Sequence, residues 1–68
     1  MDRKQAEQLA ERIRNEVPNV IATVKQVTWV ARGMWAIAVV ARGSNFLLGE
    51  VESPSEWDAL KRVIQNHP

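Results

Sequence analysis

Three short apolar runs in the middle of the chain are separated by two turns with the same sequence, Ala-Arg-Gly. The runs cover 27–30, 34–40 and 46–51, and the turns cover 31–33 and 41–43. Many residues of the runs are β-branched or aromatic, which favours strands. A three-residue hairpin loop commonly ends on a residue in the left-handed region, and Gly33 and Gly43 stand at that position. The pattern predicts a three-stranded antiparallel meander whose first strand begins at Val20.

The length of each turn sets which residues of neighbouring strands lie opposite one another. The predicted cross-strand pairs are Trp29–Trp35 and Val27–Ile37 in the first hairpin, and Ile37–Leu47 and Trp35–Gly49 in the second. Side chains alternate between the faces of a sheet. One face is therefore expected to collect the large apolar residues, which are Val27, Trp29, Trp35, Ile37, Val39, Leu47 and Val51. The other face carries smaller side chains, among them Val24, Ala36, Ala38, Val40, Phe46 and Leu48.

Apolar residues before the meander recur at helical spacing. They are Ala6, Leu9, Ala10, Ile13 and Val17, and they form one stripe. Asp2 is a suitable N-cap, and Gln5 three positions later completes a weak capping-box pattern. Pro18 ends the pattern, because the residue before a proline disfavours the helical conformation. We therefore expect a helix from Asp2 to Val17.

A second helix is predicted after the meander. Ser53 is a suitable N-cap, Pro54 fits the first helical position, and Glu56 completes a capping box. The apolar stripe of this helix is Trp57, Leu60, Val63 and Ile64.

The predicted order of elements is α-β-β-β-α. This order favours an α+β fold, a two-layer sandwich in which both helices lie on one face of the sheet. The 68 residues are expected to form a single domain, 1–68, with a small core. The chain has no Cys, so no disulfide or thiolate metal site can stabilise it.

Charge and hydropathy narrow the class of protein further. Charges of both signs nearly balance, with a formal net charge of +1, which predicts no general attraction to nucleic acid or to anionic membranes. The N-terminal residues lead into a polar helix rather than an apolar signal segment. The longest apolar run, Met34 to Ala41, is too short to cross a bilayer. We expect a cytoplasmic protein with no membrane partner.

Residues suited to catalysis are scarce. The single histidine, His67, is next to the last residue, where a general base is poorly held. One imidazole and no thiol do not provide a metal site. The serines have no neighbouring base, and the glycines are isolated rather than grouped in a phosphate-binding loop. We predict a non-enzymatic protein without a cofactor. The pair Trp29 and Trp35 remains open, since it either fills the core or lines a ligand pocket, and the burial typical of aromatic residues favours the core.

The face of the sheet away from both helices, called the open face below, is the main candidate for function. It is expected to expose Ala36, Ala38, Val40, Phe46 and Leu48. An uncovered apolar face usually marks an interaction site. A small chain without disulfides gains stability most simply by self-association, and two-fold dimers are the commonest oligomers. We expect an interaction module that binds itself as a homodimer, or binds another protein, through this face.

Nucleic-acid binding is the alternative. The order α-β-β-β-α over nearly the whole chain resembles that of the double-stranded-RNA-binding domain. The resemblance implies a basic cluster at the start of the second helix, which grips phosphates. The matching stretch here, 52–58, is acidic instead. Binding to RNA would therefore depend on the basic residues of the first helix, which are Arg3, Lys4, Arg12 and Arg14.

Overall fold

The computed structural model describes residues 1–27 and 34–66. The elements are α1 (Arg3–Glu16), β1 (Val20–Val27), β2 (Met34–Ala41), β3 (Leu47–Val51) and α2 (Pro54–Asn66). The strands form one antiparallel sheet in the order β1-β2-β3, and both helices pack on the same face. The predicted α-β-β-β-α two-layer sandwich is confirmed.

The capping residues predicted for α1 define its ends. The Asp2 carboxylate accepts a hydrogen bond from the backbone N–H of Gln5 at 2.8 Å, and the Gln5 amide oxygen accepts from the N–H of Asp2 at 3.2 Å. At the other end the N–H of Val17 donates to the carbonyl of Ile13 before Pro18 stops the helix. The reciprocal capping box therefore forms as expected.

The start of α2 is also where the sequence places it. The Ser53 hydroxyl accepts from the N–H of Glu56 at 3.3 Å, and Pro54 opens the helix. The Glu56 carboxylate reaches back to the N–H of Glu52, at 2.6 Å, and not to that of Ser53. The box thus spans one residue more than the predicted pattern.

The register predicted for the first hairpin is wrong. In the structure Val24 lies opposite Ile37 and Val27 opposite Met34, whereas the predicted register places Val27 opposite Ile37. The difference of three positions exchanges the two faces of β1. The physical reason is Lys25, which the predicted register would turn toward the helices and which the observed one leaves exposed on the open face. Residues Trp29 and Gly33 lie outside the described residues.

The second hairpin is longer than predicted. Strand β2 continues to Ala41, and the turn closes when the Ala41 N–H donates to the carbonyl of Phe46 at 2.8 Å. Gly43 has a φ of +95°, which confirms the left-handed position, and Asn45 is a second left-handed residue. Between Val39 and Val40 the register with β3 shifts by one residue, which is a β-bulge.

The predicted pair of Trp35 and Gly49 does not form, because β3 pairs farther along β2. Gly49 lies opposite Val39, and a Cβ atom at Gly49 would stand 3.3 Å from Cδ2 of Leu60. The residue that covers this glycine therefore comes from α2 and not from the neighbouring strand. Trp35 packs at the edge of the core, with the Arg3 guanidinium 5.6 Å from its ring centroid.

The core lies between the helices and one face of the sheet. Its buried members are Ala6, Leu9, Ala10, Ile13, Val20, Ala22, Ile37, Val39, Val51 and Trp57. The α1 stripe is as predicted. The α2 stripe is narrower than predicted, because Leu60 and Ile64 are half-buried and Val63 is 63% exposed. Trp57 is the largest fully buried side chain.

The carboxylate of Glu16 joins the two helices. It accepts hydrogen bonds from Nε of Arg12 at 2.8 Å, Nε1 of Trp57 at 3.0 Å and Nζ of Lys61 at 3.0 Å. Arg12 also reaches Asp58 on α2, at 3.1 Å. The bonds from Arg12, Trp57 and Lys61, in that order, favour the ionised carboxylate and lower the pKa of Glu16 from 4.5 to about 2.

Replacing Glu16 by Gln should flatten the acid limb of the stability curve. Glu16 binds its proton more weakly in the folded chain, so its stabilising effect is complete above about pH 4.5 and is lost as the pH falls toward about 2. Glu16→Gln should lower the free energy of unfolding at pH 7 and remove much of its decline in this range. Urea unfolding at a series of pH values measures this. The control is Glu7→Gln, which removes only an exposed pair with Arg3. Parallel pH curves for wild type and Glu16→Gln would contradict the assignment.

Replacing Trp57 by Ala should cost about 3–5 kcal/mol, because a fully buried ring leaves a cavity. Trp57→Phe keeps most of the packing and loses the hydrogen bond to Glu16, so its cost should be smaller. Val63→Ala, at an exposed site of the same helix, should stay within about 0.5 kcal/mol of wild type. Urea titrations followed by circular dichroism compare the three. An equal effect of Trp57→Ala and Val63→Ala would show that α2 does not depend on this ring.

Candidate interaction surface

The open face of the sheet differs in character along its length. Near one end Val27 and Ala36 are buried, although neither belongs to the core cluster under the helices. In the centre Ala38 is half-buried. Met34, opposite Val27, is 36% exposed at this end of the face, and the prediction that Ala36 is exposed is wrong.

An ion pair crosses the centre of the open face. Lys25 on β1 lies opposite Ala36, Glu50 on β3 lies opposite Ala38, and the Lys25 ammonium binds the Glu50 carboxylate across β2. The alanines on β2 leave room for these side chains to meet. The pair also makes the face electrically neutral, since the other described strand residues on it carry no charge.

At the end of the open face next to the second turn, apolar side chains form a continuous row across all three strands. Ile21 pairs with Val40, and Val40 pairs with Leu47. Phe46 precedes Leu47 and is the most exposed large apolar residue among those described, at 68%, while Leu47 is 52% and Ile21 40% exposed. Ile21, Val40 and Leu47 are called the apolar row below. Phe46 is opposite Ala41 of the helix-side face, and because side chains alternate along a strand, it is directed to that face and is not a member of the row.

The structure assigns the five predicted interface residues to different environments. Val40 belongs to the apolar row, and Ala38 is its neighbour toward the ion pair. Phe46 precedes β3 and is directed to the other face, so its predicted place on the open face is wrong. Leu48 is turned away at the bulge, so its predicted place on the open face is wrong. It packs against the core and lines a small apolar groove of about 290 Å³ with α2 residues, which are Leu60, Val63 and Ile64.

Sequence reasoning missed Ile21 and Leu47. The predicted registers assigned Leu47 to the face under the helices and left Ile21 unassigned. The available signal was Lys25, since a register that keeps this ammonium in water also turns Ile21 to the open face. Leu47 lies on the open face only because of the bulge, and no residue of the turn predicts that bulge.

The basic residues of α1 do not form one cluster. Arg12 faces α2, where it binds Glu16 and Asp58. Arg14 lies on the other flank, and its guanidinium donates to the carbonyl of Ala22 at 2.7 Å. Arg3 pairs with Glu7 and stacks on Trp35, whereas Lys4 is exposed.

Candidate chemistry is limited in the part of the chain that the structure describes. Residues 1–27 and 34–66 contain no group of three or more His, Cys, Asp or Glu side chains placed to hold a metal ion. His67 lies outside this part. Within the same ranges no helix has the length and apolar character needed to cross a membrane. Comparisons with protein-family models, with curated proteins and with solved structures found no match to this chain.

Proposed function

We propose that this chain is a small non-enzymatic interaction module that associates with a second copy of itself through the apolar row. The observation that supports the proposal is the alignment of Ile21, Val40 and Leu47 across three strands, with Leu47 52% and Ile21 40% exposed. A contiguous exposed apolar patch on a small domain is typical of a protein interface. Cytoplasmic location and the absence of a cofactor are parts of the same proposal.

Charge supports a second copy as the occupant of the open face. Two identical faces that meet carry the same net charge, so an unbalanced charge on the face would oppose their association. Here the Lys25 ammonium and the Glu50 carboxylate already neutralise each other within one copy. Two open faces can therefore stack as the layers of a β-sandwich do, with the apolar rows in contact.

Size gives further support. The surface area of the chain is 4796 Å², and a chain of 68 residues has a small core. Burying the apolar row would remove from water the large apolar side chains that the fold leaves exposed on this face. Each copy would gain free energy of association at about 25 cal/mol per Å² of apolar area buried, less the cost of ordering the partners.

Nucleic-acid binding has weaker support. Three of the four basic residues of α1 already make contacts within the chain. Arg12 and Arg14 donate hydrogen bonds, and Arg3 donates a hydrogen bond and lies over the Trp35 ring. Binding phosphates would require these contacts to break, and the acidic start of α2 carries Glu52 and Glu56. Phosphate recognition needs concentrated and available positive charge.

Leu47→Lys and Ile21→Lys should each weaken self-association, because an ammonium in an apolar interface loses its water without gaining a partner. Sedimentation equilibrium over a wide concentration range gives the molecular mass. Val63→Lys is the matched control, since Val63 is apolar and exposed to a similar degree, 63% against 52% for Leu47, but lies on α2.

The expected result is a wild type heavier than one chain, a lower mass for the two row variants, and an unchanged mass for Val63→Lys. Circular dichroism shows whether each variant remains folded. A wild type with the mass of one chain at every concentration would overturn the proposal. A folded Leu47→Lys with the wild-type mass would also overturn it.

A further inference from the structure

The outer edge of β1 is unpaired within the sheet, because the strand order is β1-β2-β3. β1 has eight residues and pairs with β2 without a register shift. The bond from Arg14 to the carbonyl of Ala22 shows that this carbonyl points out of the sheet. Backbone groups alternate in direction along a strand, so Val20, Val24 and Gln26 also direct their N–H and C=O groups outward.

A groove of about 520 Å³ runs beside this edge. Its wall on α1 consists of Glu7, Ala10 and Arg14, and its floor consists of residues 21–24. Arg14 supplies to Ala22 the hydrogen bond that a neighbouring strand would otherwise supply. The edge is thus long and regular, and the Arg14 side chain occupies one of its outward carbonyls, that of Ala22.

We propose that a second copy of this chain adds its own β1 to this edge, antiparallel, about a two-fold axis that passes through Thr23 perpendicular to the sheet. Thr23 then lies opposite Thr23 of the second copy. Ala22 lies opposite Val24 of that copy, whose N–H takes over the Ala22 carbonyl from Arg14. Val20 lies opposite Gln26 in the same way.

Charge complementarity on α1 favours this register. The chain reverses at Pro18, so residues farther from this turn in α1 lie beside residues farther from it in β1. Arg14 is level with Ala22, and Glu7 is about 10 Å farther along the helix, which corresponds to about three strand residues. The axis through Thr23 places residue 22 of one copy opposite residue 24 of the other, and residue 25 opposite residue 21. Arg14 of each copy therefore faces Glu7 of the other.

The edge contact extends the proposed self-association but does not depend on the apolar row. A two-fold axis perpendicular to the sheet keeps all four helices on one side and both open faces on the other. The result is a six-stranded sheet with two apolar rows on the same surface. If both contacts form, four chains assemble as two such sheets face to face, a common closed symmetry.

The decisive experiment uses Leu47→Lys as the background, which removes the open-face contact. Thr23 is exposed, so Thr23→Lys and Thr23→Glu should leave the fold intact. Each places two like charges directly opposite one another at the axis. Sedimentation equilibrium should show a dimer for Leu47→Lys alone and a dissociation constant at least about tenfold larger for either Thr23 variant. Mixing the two Thr23 variants in equal amounts should restore the dimer, because lysine then meets glutamate.

A second pair of variants tests the helix contact. Glu7→Arg and Arg14→Glu should each weaken the dimer, and the double variant should recover it, because the reversed charges again face one another across the axis.

The outcomes separate the two contacts. If Leu47→Lys is a single chain at every concentration, the edge proposal fails while the open-face proposal stands. If Leu47→Lys is a dimer that neither Thr23 variant weakens, or if mixing the Thr23 variants does not restore association, the edge proposal also fails. If Leu47→Lys keeps the wild-type mass and the Thr23 variants dissociate in its background, only the open-face proposal fails.

Discussion

The fixation of α2 by Trp57 and Glu16 is the constraint on which the rest of this small structure depends. Trp57 is the only α2 residue that is fully buried, and its indole N–H donates a hydrogen bond to the carboxylate of Glu16 on α1. The same carboxylate binds Lys61 of α2 and Arg12 of α1. A ring in the core and a charged group at its rim thus hold both helices over one face of the sheet. That arrangement leaves the opposite face to solvent and gives the chain its open face.

The sequence predicted those features that are encoded locally. The capping box of Asp2 and Gln5 and the cap at Ser53 involve residues three positions apart, so a short pattern contains all the information needed. The stripe of α1 is similarly local. Glu16 is instructive, because an acidic residue in the last turn of a helix opposes the helix dipole. Such a position indicates that the carboxylate binds donors elsewhere in the chain, but the sequence does not identify Trp57 and Lys61 as these donors.

Strand register was not predictable from the turns, because it depends on interactions that are distant in the sequence. The repeated Ala-Arg-Gly suggested two equal loops, yet Ile37 lies opposite Val24 instead of Val27 and opposite Val51 instead of Leu47. The observed register keeps Lys25 in water. The candidate surface followed this error, since the residues that form the apolar row are decided by register and by one bulge. Val40 was predicted on the open face, where the structure has it, whereas Ile21 and Leu47 required the structure.

The bulge in β3 has a consequence for how large an assembly this fold can form. A sheet with two regular free edges can add further copies at both sides and grow into a fibre. Here β3 is only five residues long and irregular, while β1 is long and regular. Short and bulged strands are poor templates for pairing. Among the described strands, only β1 therefore presents a long, regular edge. If the proposed edge contact forms, edge-to-edge growth ends with the second copy.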